Sequence, residues 1–268
     1  PQKNPWEEIN KINFDKKNNM DFLMKIFEIK DQTISFSEET NSSNPIQINP
    51  SYSLFEHQIN VLFEIEKLLK KSTKRALLHM PTGSGKTRTA MNLICNHFKN
   101  NDVKNNLVIW LAHTEELCQQ AHDEFSNAWS NIGNKEIFSY KLFKNFRYDI
   151  TKIKSGFAVI SLDFAYSLIK KKQGEFFKLA ANCNFVIMDE AHMAIAPSYK
   201  QILEIIATKG TCLLGLSATP GRSHMLKGED IELANFFYKQ KATLKIEKYK
   251  NPIKWLQDKG FLSNVKTE

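Results

Sequence analysis

From Leu54 onward the chain alternates between two apolar patterns. In SLFEHQINVLFEIEKLLKK, the residues Leu54, His57, Val61, Leu62, Ile65, Leu68 and Leu69 recur at intervals suited to one face of a helix. RALLHM then predicts a short strand and TRTAMNLICNHF a helix, and NLVIWLA (106–112) predicts the next strand, with TEELCQQAHDEFSNAW the next helix. GFAVISL (156–162) reads as a strand followed by DFAYSLIKK; CNFVIMDE (183–190) is another strand, and TCLLGLSA (211–218) closes the series. Strands that are apolar on both faces, separated by helix-length connections, indicate a parallel sheet covered by helices on both sides. The expected fold class is therefore α/β, with ligands bound beyond the carboxyl ends of the strands.

The first fifty residues break this rhythm. They hold one more apolar segment, MDFLMKIFEI (20–29), read as a short helix or strand, and then the Ser/Asn/Pro-rich DQTISFSEETNSSNPIQINP, read as a linker. At 268 residues and 42% hydrophobic, the chain can bury one large core or two modest ones. Cys95, Cys118, Cys183 and Cys212 show neither close pairing nor metal-ligand spacing, which predicts reduced thiols. No apolar run reaches the length of a membrane span and no apolar signal segment opens the chain, so the expected setting is cytoplasmic or nucleoid-associated, with no membrane partner. A start at Pro1 instead of Met suggests a piece of a longer protein. The net charge of +8 allows a polyanion partner, but only Arg75, Arg88, Arg147 and Arg222 are arginines and the lysines are scattered. Backbone binding to nucleic acid needs its charges gathered on one face.

Candidate chemistry falls at the strand ends. MPTGSGKT follows a strand and opens a helix, so Pro81, Thr82, Gly83, Ser84, Gly85, Lys86 and Thr87 form a candidate phosphate loop. Gly83 and Gly85 let the backbone curl until N–H groups point inward at a phosphate, and the helix adds its positive end. Lys86 would reach the β and γ phosphates and the Thr87 hydroxyl would bind Mg2+. The general pattern has a further Gly where Met80 stands, but that position belongs to the strand end and not to the phosphate wrap. The competing reading is a Gly/Ser turn with a solvated lysine. VIMDEAH (186–192) places Asp189 and Glu190 at the tip of a buried strand, where unpaired charges would be costly. Asp189 would hold Mg2+ and Glu190 would face the attacking water, which together specify nucleoside triphosphate hydrolysis.

With LSAT (216–219) and LFEHQ (54–58) added, the chain over roughly residues 54–222 resembles the first motor domain of superfamily 2 helicases and translocases, a RecA-like P-loop NTPase domain. The resemblance implies Mg2+ ligation by Asp189, base catalysis by Glu190, and coupling of hydrolysis to movement by Ser217 and Thr219, with His192 facing them across the cleft. It also implies that Gln58 bonds the adenine edge. Phe55 stands where the family often has Arg, and would stack on the ring or pack in the core. WLAHTEELCQQ and VISLDFA are similar to the segments that touch the nucleic-acid backbone, which nominates Thr114 and Ser161 for phosphate and sugar contacts that position without reading bases. Taken as residues alone, both are helix N-caps. His113 stands where that family usually has Pro.

SATPGR, DEAHMAIAPSYKQILE and NPIKWLQDKGFLS resemble the restriction-enzyme translocase and XPB-like branch, which acts on duplex DNA. The implied layout is an extension and linker over 1–50, an ATP-binding domain over 51–250, and a connector over 251–268 toward a second RecA-like domain in the parent chain. A nuclease or methylase partner is compatible with that likeness. Since the family's second domain supplies arginines to the γ phosphate, this chain alone is expected to bind ATP weakly and hydrolyse it slowly. Two rival readings stand beside this one. A GTPase or kinase would share Gly-Lys-Thr, but Asn-Lys-x-Asp is absent. A duplex DNA or RNA binding module would carry an ATP site that is inactive without the second domain.

Overall fold

The helical period that begins at Leu54 becomes α1, Glu56–Leu69. Its buried residues, His57, Gln58, Val61, Leu62, Ile65 and Leu69, lie on one face, while Leu54 and Leu68 are half-buried. Gln58 reaches back to accept the Phe55 N–H at 3.0 Å, satisfying a donor that a helix start leaves open. The structure, a computed structural model, describes residues 50–101, 105–144, 148–208, 210–218, 227–246, 249 and 252–263. The expected segment at 20–29, the linker after it and Thr219 lie outside the described residues.

Strand β1 (Arg75–His79) leads into α2 (Lys86–Asn100), β2 (Leu107–Ala112) into α3 (Glu115–Ile132), and β3 (Ser139–Leu142) is followed by β4 (Gly156–Ser161). After β4 come α4 (Leu162–Lys171) and α5 (Gln173–Ala181), then β5 (Cys183–Met188), a 3-10 turn at Ala191–Met193 and α6 (Pro197–Ile206). Strand β6 (Cys212–Ser217), α7 (Lys227–Phe236), β7 (Lys241–Thr243) and α8 (Pro252–Asp258) complete the described elements. The sheet has seven strands in the order β3-β4-β2-β5-β6-β1-β7, and every neighbouring pair is parallel. TCLLGLSA therefore does not close the series. The edge strands β3 and β7 escaped the sequence reading because they are short and only partly buried, without the apolar runs of the central strands.

All six residues of β2 are buried, but alternation sends them to different layers. Val108 and Trp110 join the core beneath α1, α2 and α3, where Phe98, Phe125 and Phe157 meet. Leu107, Ile109 and Leu111 face the opposite core, built with Leu168 of α4, Phe176 of α5 and Ile202 and Leu203 of α6. Helices thus cover both faces, as expected. The cysteines are free: Cys95, Cys118 and Cys183 are buried and Cys212 is partly exposed. Among the described residues no helix is long and apolar enough to cross a membrane.

Two of the arginines serve the fold. Arg88 lies over the Tyr52 ring at 4.1 Å and donates to the Ser53 carbonyl at 3.2 Å, while Tyr52 donates to Glu124 at 2.6 Å. This straps the chain before α1 onto α2 and α3. Arg75 stacks over Phe236 at 4.9 Å. Because every strand runs the same way, the carboxyl ends of β1, β2, β4, β5 and β6 share one edge of the sheet, and every described candidate residue lies along that edge or beside it. Gly215, in the middle of β6, keeps that edge low: a Cβ there would come within 2.6 Å of Ala191 and of Phe237. The absent side chain lets the turn after β5 settle onto the sheet.

Candidate functional site

The loop after β1 is shaped by two glycines in left-handed backbone, Gly83 at φ +78° and Gly85 at φ +87°. Gly85 caps α2, so Lys86 and Thr87 are its first residues and the open N–H groups of its first turn face the loop. No acidic side chain stands in that turn to offset the positive helix end. Ser84 is buried and closes the loop internally, its hydroxyl donating to the Pro81 carbonyl at 2.6 Å. Thr82 and Gly83 are exposed. Met80 is fully buried and gives its N–H to the Ser217 carbonyl at 3.2 Å, so the departure from the general loop pattern sits in the sheet and leaves the loop itself unaltered.

Gln58 braces the loop from outside, donating from Nε2 to the Ser84 carbonyl at 3.1 Å. A Cβ on Gly85 would overlap that Nε2. Gly85→Ala is accordingly expected to lower the unfolding free energy by about 1–3 kcal/mol from the positive φ alone, with a further loss from displacing Gln58. Denaturant unfolding measures both, and Gln58→Ala in the same chain should relieve only the overlap. Wild-type stability in Gly85→Ala would refute this account of the loop.

The second cluster lies across the same edge. The Asp189 N–H extends the sheet by donating to the Leu111 carbonyl at 2.9 Å, and the Asp189 carboxylate accepts the Glu190 N–H at 3.0 Å. Burial pushes the Asp189 carboxyl above its usual range; the Glu190 charge adds to this, while the Glu190 N–H, Lys86 and His113 pull the other way. Lys86 and Asp189, far apart in sequence, are thus electrostatic neighbours. Glu190 adopts left-handed backbone at φ +50°, a conformation uncommon for a residue with a side chain. Its Oε2 lies 3.2 Å from His192 Nδ1.

His192 belongs to the Ala191–Met193 turn, which packs against β6, and Ser217 is fully buried at the end of that strand. His113, which the sequence marked only as a departure from Pro, is half-buried just past the end of β2. Its Nδ1 has no hydrogen-bond partner among the described residues. The pairing of β2 with β5, revealed by the structure, is what brings His113 beside Asp189.

Thr114 and Ser161 sit at the ends of the paired strands β2 and β4. Both hydroxyls cap helices: Thr114 accepts the Leu117 N–H at 3.2 Å and Ser161 accepts the Phe164 N–H at 3.3 Å. Glu116 is held below the usual carboxylate range by its own N–H and by the Thr114 hydroxyl. On the other flank of the loop, Phe55 is 50% exposed. It stacks at 5.8 Å on His57, whose imidazole is pushed down by burial.

The donor set fits a nucleoside triphosphate with a divalent ion: open backbone N–H groups, an ammonium, a hydroxyl and one carboxylate opposite them. Among the described residues no group of three or more His, Cys, Asp or Glu could hold a metal ion unaided. Thr87 and Asp189 are the described side chains that would hold such an ion beside phosphate oxygens and water.

A family model described as type III restriction enzyme, res subunit, matches residues 51–222. No curated protein sequence matches the chain. Among solved structures, the helicase domain of Hef from Pyrococcus furiosus is similar with a TM-score of 0.54 at 17% identity, over 72% of this chain and 39% of that one. The UvsW helicase of bacteriophage T4 gives 0.51 at 18% identity, over 75% and 62%. The DUF1998 helicase MrfA bound to DNA gives 0.51 at 18% identity, over 71% and 27%. The chain therefore spans less than two thirds of the length of each of these proteins. With the family model running over most of the sequence and the parallel sheet in agreement, the chain belongs to the type III restriction enzyme res subunit family and folds as a superfamily 2 RecA-like helicase/translocase domain.

Proposed function

We propose that this domain binds ATP with Mg2+ and hydrolyses it in the service of movement along nucleic acid, with duplex DNA the partner. The observation that carries the reading is the placement of Lys86, at the start of α2 after β1, and of Asp189 and Glu190, after β5, on one edge of the parallel sheet, with β6 between the two strands. In this reading the loop N–H groups and Lys86 hold the β and γ phosphates, and Thr87 and Asp189 hold the ion, which supplies charge neutralisation at the transferring phosphoryl group. Glu190 accepts a proton from the attacking water, and His192 Nδ1 holds the far oxygen of that carboxylate in place. Gln58 positions the loop through Ser84 and presents its remaining amide capacity to the adenine edge. Ser217, joined to the loop through Met80, and Thr219 transmit the state of the phosphates to the nucleic-acid side, where the helix starts at Thr114 and Ser161 receive backbone phosphate. The likeness to a helicase solved bound to DNA supports that partner. A second RecA-like domain would add cations at the γ phosphate.

The test is Mg2+-dependent ATP binding by the wild-type chain against Lys86→Ala. Removing a charge-assisted bond to phosphate is expected to weaken binding by about ten- to a hundredfold. Equal affinities would refute the phosphate site.

A further inference from the structure

The chain after β7 returns to the phosphate loop. Leu256 of α8 is fully buried in the core that α1 shares, which anchors the segment. Gly260, at φ +76°, then reverses the chain: its N–H goes to the Gln257 carbonyl at 3.0 Å, and the Phe261 N–H to the Leu256 carbonyl at 2.8 Å. This is the bonding of a Schellman helix end, and it fixes where the next two side chains point. Phe261 meets Phe55 at 4.6 Å and His57 at 5.2 Å between ring centroids. Leu262 comes so close to the loop that a Cβ on Gly83 would lie 2.5 Å from its Cδ2. The two loop glycines are therefore gripped from separate directions, Gly85 by Gln58 and Gly83 by Leu262. A cavity of about 410 Å3 remains between the loop and this segment, lined by Pro81, Thr82, Thr243, Ile253 and Leu262 among others.

Phe55 and Phe261 lie outside the lining of that cavity, next to Leu262, and strand order says which part of a nucleotide would lie beside them. Asp189 follows β5, two strands from β1 on the β6 side, so the metal-bearing end of a triphosphate faces that way. The base then extends to the opposite flank of β1, toward β7 and the start of α1. That flank carries Phe55 and Phe261, two rings tilted 56° to each other and too close to admit a third between them. Their outer edge offers an apolar wall.

We propose that Phe261 is a base-binding residue of the nucleotide site: with Phe55 it forms the wall on which the base stacks, and Leu262 locks that wall to the loop at Gly83. The proposal rests on the ATP site described above. It predicts that the segment Pro252–Ser263 is part of the site and does more than lead out of the domain.

The experiment compares Mg2+-dependent binding of ATP and of inorganic tripolyphosphate to the 268-residue chain. Base stacking on an aromatic ring predicts that Phe261→Ala weakens ATP by about five- to a hundredfold and leaves tripolyphosphate unchanged. Phe261→Leu, which keeps an apolar side chain against the core, should show the same selective loss, and Phe261→Tyr should restore ATP affinity. Thermal unfolding of each variant checks that the fold persists. Unchanged ATP affinity, tighter ATP binding, or equal weakening of both ligands would overturn the proposal while leaving the phosphate site standing. Wild-type chain that binds neither ligand would overturn both.

Discussion

Glu190→Gln is expected to reduce ATP turnover by about 10²–10⁴-fold, the usual contribution of a positioned general base, while ATP binding stays near the wild-type value. The substitution keeps the size of the side chain and removes its capacity to take a proton. It also leaves untouched the features that hold the residue in its left-handed conformation, the Glu190 N–H to the Asp189 carboxylate and the turn packed beneath Gly215. A group held in that backbone region without glycine's freedom is strained by about 1–3 kcal/mol, which a surrounding structure tolerates where position matters. Turnover and binding should be measured in the same preparation. Retained turnover would remove Glu190 from the role of base; lost binding would show that the carboxylate instead shapes the pocket.

Asp189→Asn should separate stability from activity. Burial raises the Asp189 carboxyl above the usual range for an aspartate, so folding favours the protonated form. The stabilising contribution of that proton is full below about pH 3.8 and is lost as pH rises through the raised folded value. At neutral pH the folded chain therefore carries a charge that its surroundings oppose. The neutral amide can still accept the Glu190 N–H but has no charge to desolvate. Nucleotide-free Asp189→Asn should thus melt at or above the wild-type temperature at pH 7, and the difference should shrink as pH falls. ATP turnover should drop by about a hundredfold or more, because the proposed Mg2+ site would lose one ligand and a Lewis-acid metal lowers such a barrier by several kcal/mol. A variant less stable than wild type at pH 7 would show that attraction from Lys86 outweighs burial.

Much of the fold was legible because its signals are local. The helical period of α1, the unbroken apolar runs of β2, β4, β5 and β6, and the glycines that end β1 in a loop all act over a few neighbouring residues. The motif residues from Pro81 to Thr87 and from Asp189 to His192 could be named for the same reason: each set is contiguous, and its place at a strand end follows from the strand itself. The edge strands β3 and β7 were not legible, since a strand of three or four residues at a sheet margin needs no apolar run and is recognised only by its partner. The place of each arginine was equally out of reach of composition. Arg88 counts toward a basic chain in composition, yet its guanidinium lies on Tyr52.

The chain's local chemistry was enough to predict an α/β domain, a candidate phosphate loop and a carboxylate pair at strand ends. Strand order did the rest. Placing β1 between β6 and β7 sets Lys86 facing Asp189 on one side and Phe55 facing Phe261 on the other. Pairing β2 with β5 puts His113 beside the carboxylates. These meetings join residues too far apart in sequence for any local period to register, and they arise from the packing of helices on both faces of a parallel sheet. Met80 shows the division in one residue: its place at a strand end was readable locally, while its burial and its N–H bond to the Ser217 carbonyl follow from the pairing of β1 with β6.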